Sequence, residues 1–127
     1  MQDFRNLAVW QKAHALTLET YRATESFPRA ELFGLTSQLR RSCASISANL
    51  AEGCVRTQPE FARFVQIALG SASETEYHFL LAHDLGFLEP DHHDSLSRQV
   101  VEVKRMLTSL QQRIQQQVAN VSQRRSK

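Results

Sequence analysis

The sequence predicts an all-α fold, an antiparallel up-down-up-down four-helix bundle, and three observations carry that prediction. Apolar residues recur at alternating three-and-four spacing through four long stretches. Glycine and proline are scarce, four and three in 127 residues, and most of them fall between those stretches. Helices two to four are joined by connections of about three to six residues, and short connections favour antiparallel neighbours. With 42% hydrophobic residues, the chain is long enough to bury a core as one domain, set at residues 1–121.

The first helix is expected from about Leu7 to Glu25, capped by Asn6, with Val9, Trp10, Ala13, Leu16, Thr17 and Tyr21 on its bulky side. The linker SFPRAELFG follows, in which Pro28 biases Phe27 away from helical geometry. Phe27 and Phe33 are expected to fold back as plugs on the bundle end. The second helix carries the stripe Leu35, Leu39, Cys43, Ile46, Leu50, and Gly53 is expected to close it in the left-handed conformation.

The third helix begins at Thr57-Gln58-Pro59-Glu60, where Thr57 and Glu60 form a capping box and proline sits in the first turn. Phe61, Phe64, Val65, Ala68, Leu69, Ala72, Phe79 and Ala82 continue it, and Gly86 ends it. Gly70 within it reads as a close-packing site, since mid-helix glycine costs roughly 1 kcal/mol relative to alanine. The fourth helix follows Pro90 with the seam Leu96, Val100, Val103, Leu107, Leu110, Ile114, Val118, Val121. Residues 122–127 lack an apolar anchor and read as a basic, frayed tail.

No apolar run approaches the ~20 residues that span a bilayer, so no membrane partner is expected. The start MQDFRNLAVW lacks the basic-then-apolar pattern of a secretory signal. Cys43 and Cys54, if both on the second helix, stand roughly 16 Å apart along its axis, beyond disulfide reach. Unpaired thiols fit a reducing, cytoplasmic setting. The net charge of +2 hides an asymmetry: residues 74–94 hold six acids and no Lys or Arg, whereas residues 103–127 hold six bases and no acid. Such polarity can steer nucleic acid or orient subunits against each other; it is also what an ordinary solvated surface can carry.

Little in the chain looks like catalysis. His78 and His83 lie about 140° apart around a helix and cannot chelate together, and His92 and His93 point about 100° apart. The Glu-x-x-His pair of bundle di-iron sites is not duplicated. There is no G-x-S-x-G elbow, no glycine-rich phosphate loop and no cysteine with an evident basic partner. No catalytic residue, metal ligand, cofactor or small-molecule substrate is therefore assigned.

A second stripe on helix two is more informative. Gln38, Arg41, Ser45, Asn49 and Glu52 form a polar column about 100° from the apolar one, hemmed by Ala44, Ala48 and Ala51. Ser and Asn are mediocre helix formers, so this column reads as a packing and assembly device. Arg41 is expected to meet an acid, and Glu52 an arginine or helix-end amides, within the bundle or across a subunit boundary. For RNA or DNA the candidate contacts are Arg40, Arg56, Arg63, Arg113, Arg124, Arg125 and Lys127, although no aromatic-interleaved basic ladder appears.

These residues carry a family likeness. Its first part is DFRNL followed by VWQKA at residues 3–13, and its centre is FGLTSQLRRS at residues 33–42 with Ser45-Ile46 and NLAEG at residues 49–53. Phe61, Arg63-Phe64, Ile67-Ala68, Gly70-Ser71 and Glu74 complete the pattern. The chain closely resembles the bacterial four-helix-bundle family of 23S rRNA intervening sequence proteins, also called S23. The resemblance implies a cytoplasmic bundle that assembles into a ring-like homopentamer, with no enzymatic activity. It further suggests kinship with the accessory variability protein of diversity-generating retroelements, a basic pentamer that binds nucleic acid and the element's reverse transcriptase. This chain is only mildly basic, unlike that subgroup. The expectation is a non-enzymatic, homo-oligomeric assembly or adaptor protein, with an oligomeric RNA- or DNA-binding accessory protein as the alternative.

Overall fold

Four helices account for most of the computed structural model, which describes residues 2–126: α1 (Ala8–Thr24), α2 (Leu35–Gly53), α3 (Gln58–Asp84) and α4 (Pro90–Ser126). Short 3-10 turns at Phe4–Asn6 and Arg29–Glu31 precede α1 and α2. Side-chain bonds fix the directions. Thr24 meets Arg40 and Thr17 meets Cys43; Ser42 meets Thr75 and Ser45 meets Ser71; Gln66 meets Gln111 and Glu76 meets Lys104. In each pair of helices one number rises as the other falls, so successive helices run antiparallel, up-down-up-down.

The apolar stripes converge as their spacing dictates. Leu16, Leu39, Ile46, Leu50, Val65, Phe79, Leu96, Val100 and Leu107 are buried completely or nearly so. Each such side chain contributes on the order of 1.5–3 kcal/mol relative to exposure. Ala13, Ala68, Ala72 and Ala82 are also fully buried, which lets the helices approach closely.

Capping follows the sequence at α3 and departs from it at α1. Thr57 and Glu60 make both bonds of a capping box, with proline in the first turn. Asn6 does not cap α1. It lies inside the preceding 3-10 turn, whose cap is Asp3, and Leu7 holds the helix's cap position without a side-chain bond. Gln11 instead reaches back to the Arg5 carbonyl at 2.8 Å.

The glycines also divide. Gly86, at φ 83°, closes α3 as expected: its N–H donates to the His83 carbonyl and the Phe87 N–H to that of Ala82. Gly53 ends α2 but is not left-handed. A Cβ there would stand 2.8 Å from Phe61 Cδ1 and Phe64 Cβ, so close packing is what requires glycine. At Gly70 the expectation of tight packing fails within the chain, because a Cβ would meet nothing within 4 Å.

Of the two phenylalanines expected to plug the bundle end, only Phe27 does so, with its ring 5.7 Å from that of Phe87. Phe33 is 93% exposed. The turn beside it is organised by Glu31, whose carboxylate accepts the Leu35 N–H at 3.1 Å. Tyr21 is also largely exposed, with the Arg40 guanidinium 4.7 Å from its ring centre. Helix α4 runs to Ser126, its burial ends at Ile114 and residues 119–126 are exposed.

Candidate assembly face

Helix α2 presents its polar column obliquely, and the column splits. Gln38, Arg41 and Glu52 are exposed, whereas Ser45 and Asn49 turn into the seam with α3. Asn49 Nδ2 donates to the Ser45 carbonyl at 2.8 Å and lies 2.9 Å from Ser45 Oγ, which lies 3.0 Å from Ser71 Oγ on α3. Deeper in the same seam, Thr75 Oγ1 stands 2.8 Å from the Ser71 carbonyl and 3.0 Å from Ser42 Oγ. Ser42 Oγ is 3.4 Å from His78 Nδ1.

The result is two side-chain clusters, Asn49–Ser45–Ser71 and Thr75–Ser42–His78, joined through the Ser71 carbonyl, and each bridges α2 and α3 and fixes their register. Hydroxyls that satisfy one another can be buried cheaply, whereas a one-turn slip would orphan several at once. The sequence weighs His78 only as a metal ligand and shows Ser42 and Ser71 only within the family pattern, and nothing in it joins them to Thr75. The available signal was phase: Ser42 falls between Leu39 and Ile46, and Thr75 between Ala72 and Phe79, at core spacing.

Glu52 meets Arg56 at 3.1 Å, and the Arg56 guanidinium lies 5.6 Å from the Phe64 ring centre. Arg41 forms no ion pair among the described residues. The outer side of α3 continues this surface. Ile67 and Tyr77, 44% and 57% exposed, lie on it with Gly70 between them. Ser71 is the link from that side of α3 to the polar column.

The remaining basic candidates disperse. Arg40 is turned inward, donating from Nε to Thr24 Oγ1 at 2.8 Å and from Nη2 to the Tyr21 carbonyl at 3.3 Å, where it satisfies the end of α1. Arg56 and Arg113 do come together, on a groove of about 510 Å³ at the end of the bundle where α1 and α3 begin. Arg63, Arg124 and Arg125 are exposed, and Lys127 lies outside the described residues.

Chemistry is sparse. Among the described residues no group of three or more His, Cys, Asp or Glu is placed to hold a metal. His83 and His93 stack across the α3–α4 turn with ring centres 4.4 Å apart, a cross-helix pair invisible to spacing along either helix. Two serines approach an imidazole: Ser97 Oγ lies 3.1 Å from His93 Nε2, with Asp94 Oδ1 4.0 Å from His93 Nδ1, and Ser42 Oγ lies 3.4 Å from His78 Nδ1 with both residues buried. Burial pushes the Cys43 thiol up, against the pull of Thr17 and Thr20, and Cys54 is raised by burial and by Asp3. Neither is an activated thiolate. No described helix is long and apolar enough to cross a membrane.

A crystal structure described as a protein of unknown function from the S23 ribosomal protein family of Bacteroides thetaiotaomicron has the same fold, with a TM-score of 0.75. The two are 24% identical, over 82% of this chain and 95% of that one. A comparison with curated proteins finds no match. The family pattern described as 23S rRNA-intervening sequence protein matches residues 5–109, which span the first three helices and the burial-rich half of α4. With that match over most of its length, the chain belongs to the family of 23S rRNA-intervening sequence proteins.

Proposed function

We propose that this protein is a non-catalytic building block that works as a homo-oligomer, an assembly or adaptor protein of five copies in a ring. One observation carries the reading: the outer α3 face, where Ile67, Gly70 and Tyr77 stand uncovered among the exposed Arg63 and Glu74, beside the polar column of α2. Gly70 leaves room for a neighbouring backbone, and Gln38 and Arg41 supply hydrogen-bonding groups at its edge. Ser45, Asn49 and Ser71 hold the two helices rigid beneath that face. Light scattering at micromolar concentration tests the proposal. The expected mass is that of five chains, and a mass of one chain refutes it.

The second reading is an oligomeric RNA- or DNA-binding accessory protein; kinship with the retroelement accessory proteins would make a reverse transcriptase its partner. The groove that Arg56 shares with Arg113 favours it: Arg56 is held by Glu52 at 3.1 Å, and Arg113 brings a second positive charge to a lining that contains no acid. Binding would weaken steeply with salt as phosphate counterions are released. Absence of binding to a short RNA or DNA at low salt removes this reading.

A further inference from the structure

Helix α4 outruns its neighbours. The Gln66–Gln111 bond, and a notch of about 350 Å³ in which Gln58 and Pro59 face Val118 and Val121, put the first turn of α3 level with residues 118–121 of α4. Residues 122–126 continue as an exposed helix beyond it. The apolar seam does not stop with the bundle: Val121 remains 49% exposed on one wall of the notch. Arg124 and Arg125 follow, and no acid lies on α4 after Glu102. Val121 is thus left half-exposed beside a basic helix tip.

The other end of the bundle is its complement. The α3–α4 turn and its flanks expose Asp84, Glu89, Asp91 and Asp94. Leu85, beside Asp84, is 52% exposed. The α1–α2 linker, joined to this turn by the Phe27–Phe87 contact, adds the bare Phe33 ring. Arg29 stands on the linker side, so the acidic character belongs to the α3–α4 turn.

We infer that the basic α4 tip of one copy docks on the acidic, apolar α3–α4 turn of the next. Val121 and Leu85 cover each other, and Arg124 and Arg125 face Asp84 and Asp91. This docking rests on the homo-oligomeric reading and adds to its α3 face a second contact, at the bundle ends, that has a direction. A second copy fits better than a nucleic acid. Phosphates would answer the arginines but leave Val121 and Leu85 in water, and the acidic turn would repel them. Because the two patches differ, the contact is head-to-tail, and a suitable rotation between copies closes it into a ring.

Two charge-reversed chains test the inference, one with Arg124→Glu and Arg125→Glu, the other with Asp84→Lys and Asp91→Lys. All four positions are exposed, and helical circular dichroism checks that each variant folds. Sedimentation is then compared with that of the unaltered chain. Each variant alone is expected to self-associate at least about tenfold more weakly, and a third chain carrying all four reversals is expected to recover assembly, because its acidic tip meets a basic turn at every contact. An oligomeric unaltered chain whose variants assemble equally well overturns the docking and leaves the homo-oligomer standing. Loss that reversal of all four charges in one chain does not repair also overturns it. Reversal at the tip that abolishes binding of an RNA oligonucleotide without changing the mass assigns the tip to nucleic acid and overturns the docking. A monomeric unaltered chain removes both readings together.

Discussion

Gly53 and Gly86 show one residue type serving two different physical needs, and Gly70 shows it serving neither within its own chain. At Gly86 the backbone adopts a conformation that L side chains rarely take. At Gly53 the backbone is ordinary, but the Phe61 and Phe64 side chains occupy the space of a Cβ. At Gly70 neither constraint operates inside the chain. Opposite outcomes follow for one substitution. Gly53→Ala should destabilise the fold by about 1–3 kcal/mol through overpacking. Gly70→Ala should stabilise it by about 0.5–1 kcal/mol, because alanine is the better helix former and has room. Urea unfolding midpoints of the two variants measure both. Sequence located all three glycines yet could not separate these causes, since the difference lies in what another helix, or a turn, places next to the α-carbon.

At the scale of the element, α3 is the helix most fully written in its own sequence. Thr57, Pro59 and Glu60 announce its start and Gly86 its end, because caps are local bonds between residues three or four apart. Thr57→Ala should cost about 1 kcal/mol, read from thermal or urea unfolding. The same box carries a pH signature. Its bonds from the Thr57 hydroxyl and then the Thr57 N–H hold the Glu60 carboxyl below its usual value of 4.5. A lowered folded value adds stability above the unfolded pKa, and that stability is lost as pH falls through the folded one. Removing Thr57 should therefore flatten the acid limb of the stability curve. Helix α1 contrasts with this. Asn6 has the composition of a cap, but the 3-10 turn at Phe4–Asn6 delays the helix and leaves the cap position to Leu7.

For the whole molecule, the two ends of the bundle differ more than its sides. One end gathers acids around Leu85 and Phe33, and the other extends a basic helix tip along Val121. A ring of 93% exposed phenylalanine adds nothing to the core of its own chain. Phe33→Ser should leave unfolding free energy within about 0.5 kcal/mol of the original, as surface changes commonly do. The same variant should weaken self-association, seen as a lower mass at equal concentration. Equal mass for Phe33→Ser and the unaltered chain would show that Phe33 takes no part in assembly.

By itself the sequence determined the four helices, their antiparallel order and nearly all of the core, because helical periodicity and short connections are local properties. It also exposed the polar column at Gln38, Arg41, Ser45, Asn49 and Glu52, since a second stripe on one helix is visible as spacing. Only the tertiary structure decided how that column divides: Ser45 and Asn49 into the α2–α3 seam, Glu52 to Arg56, and Gln38 and Arg41 outward. It alone drew Ser42, Ser71, Thr75 and His78 into one network and turned Arg40 onto the end of α1. Glu52–Arg56 and Asn49–Ser45 are local pairs four residues apart, and the contacts between helices share one physical reason. A side chain's periodicity fixes the face on which it stands, but its partner comes from another helix, and that pairing is set by how the whole bundle packs.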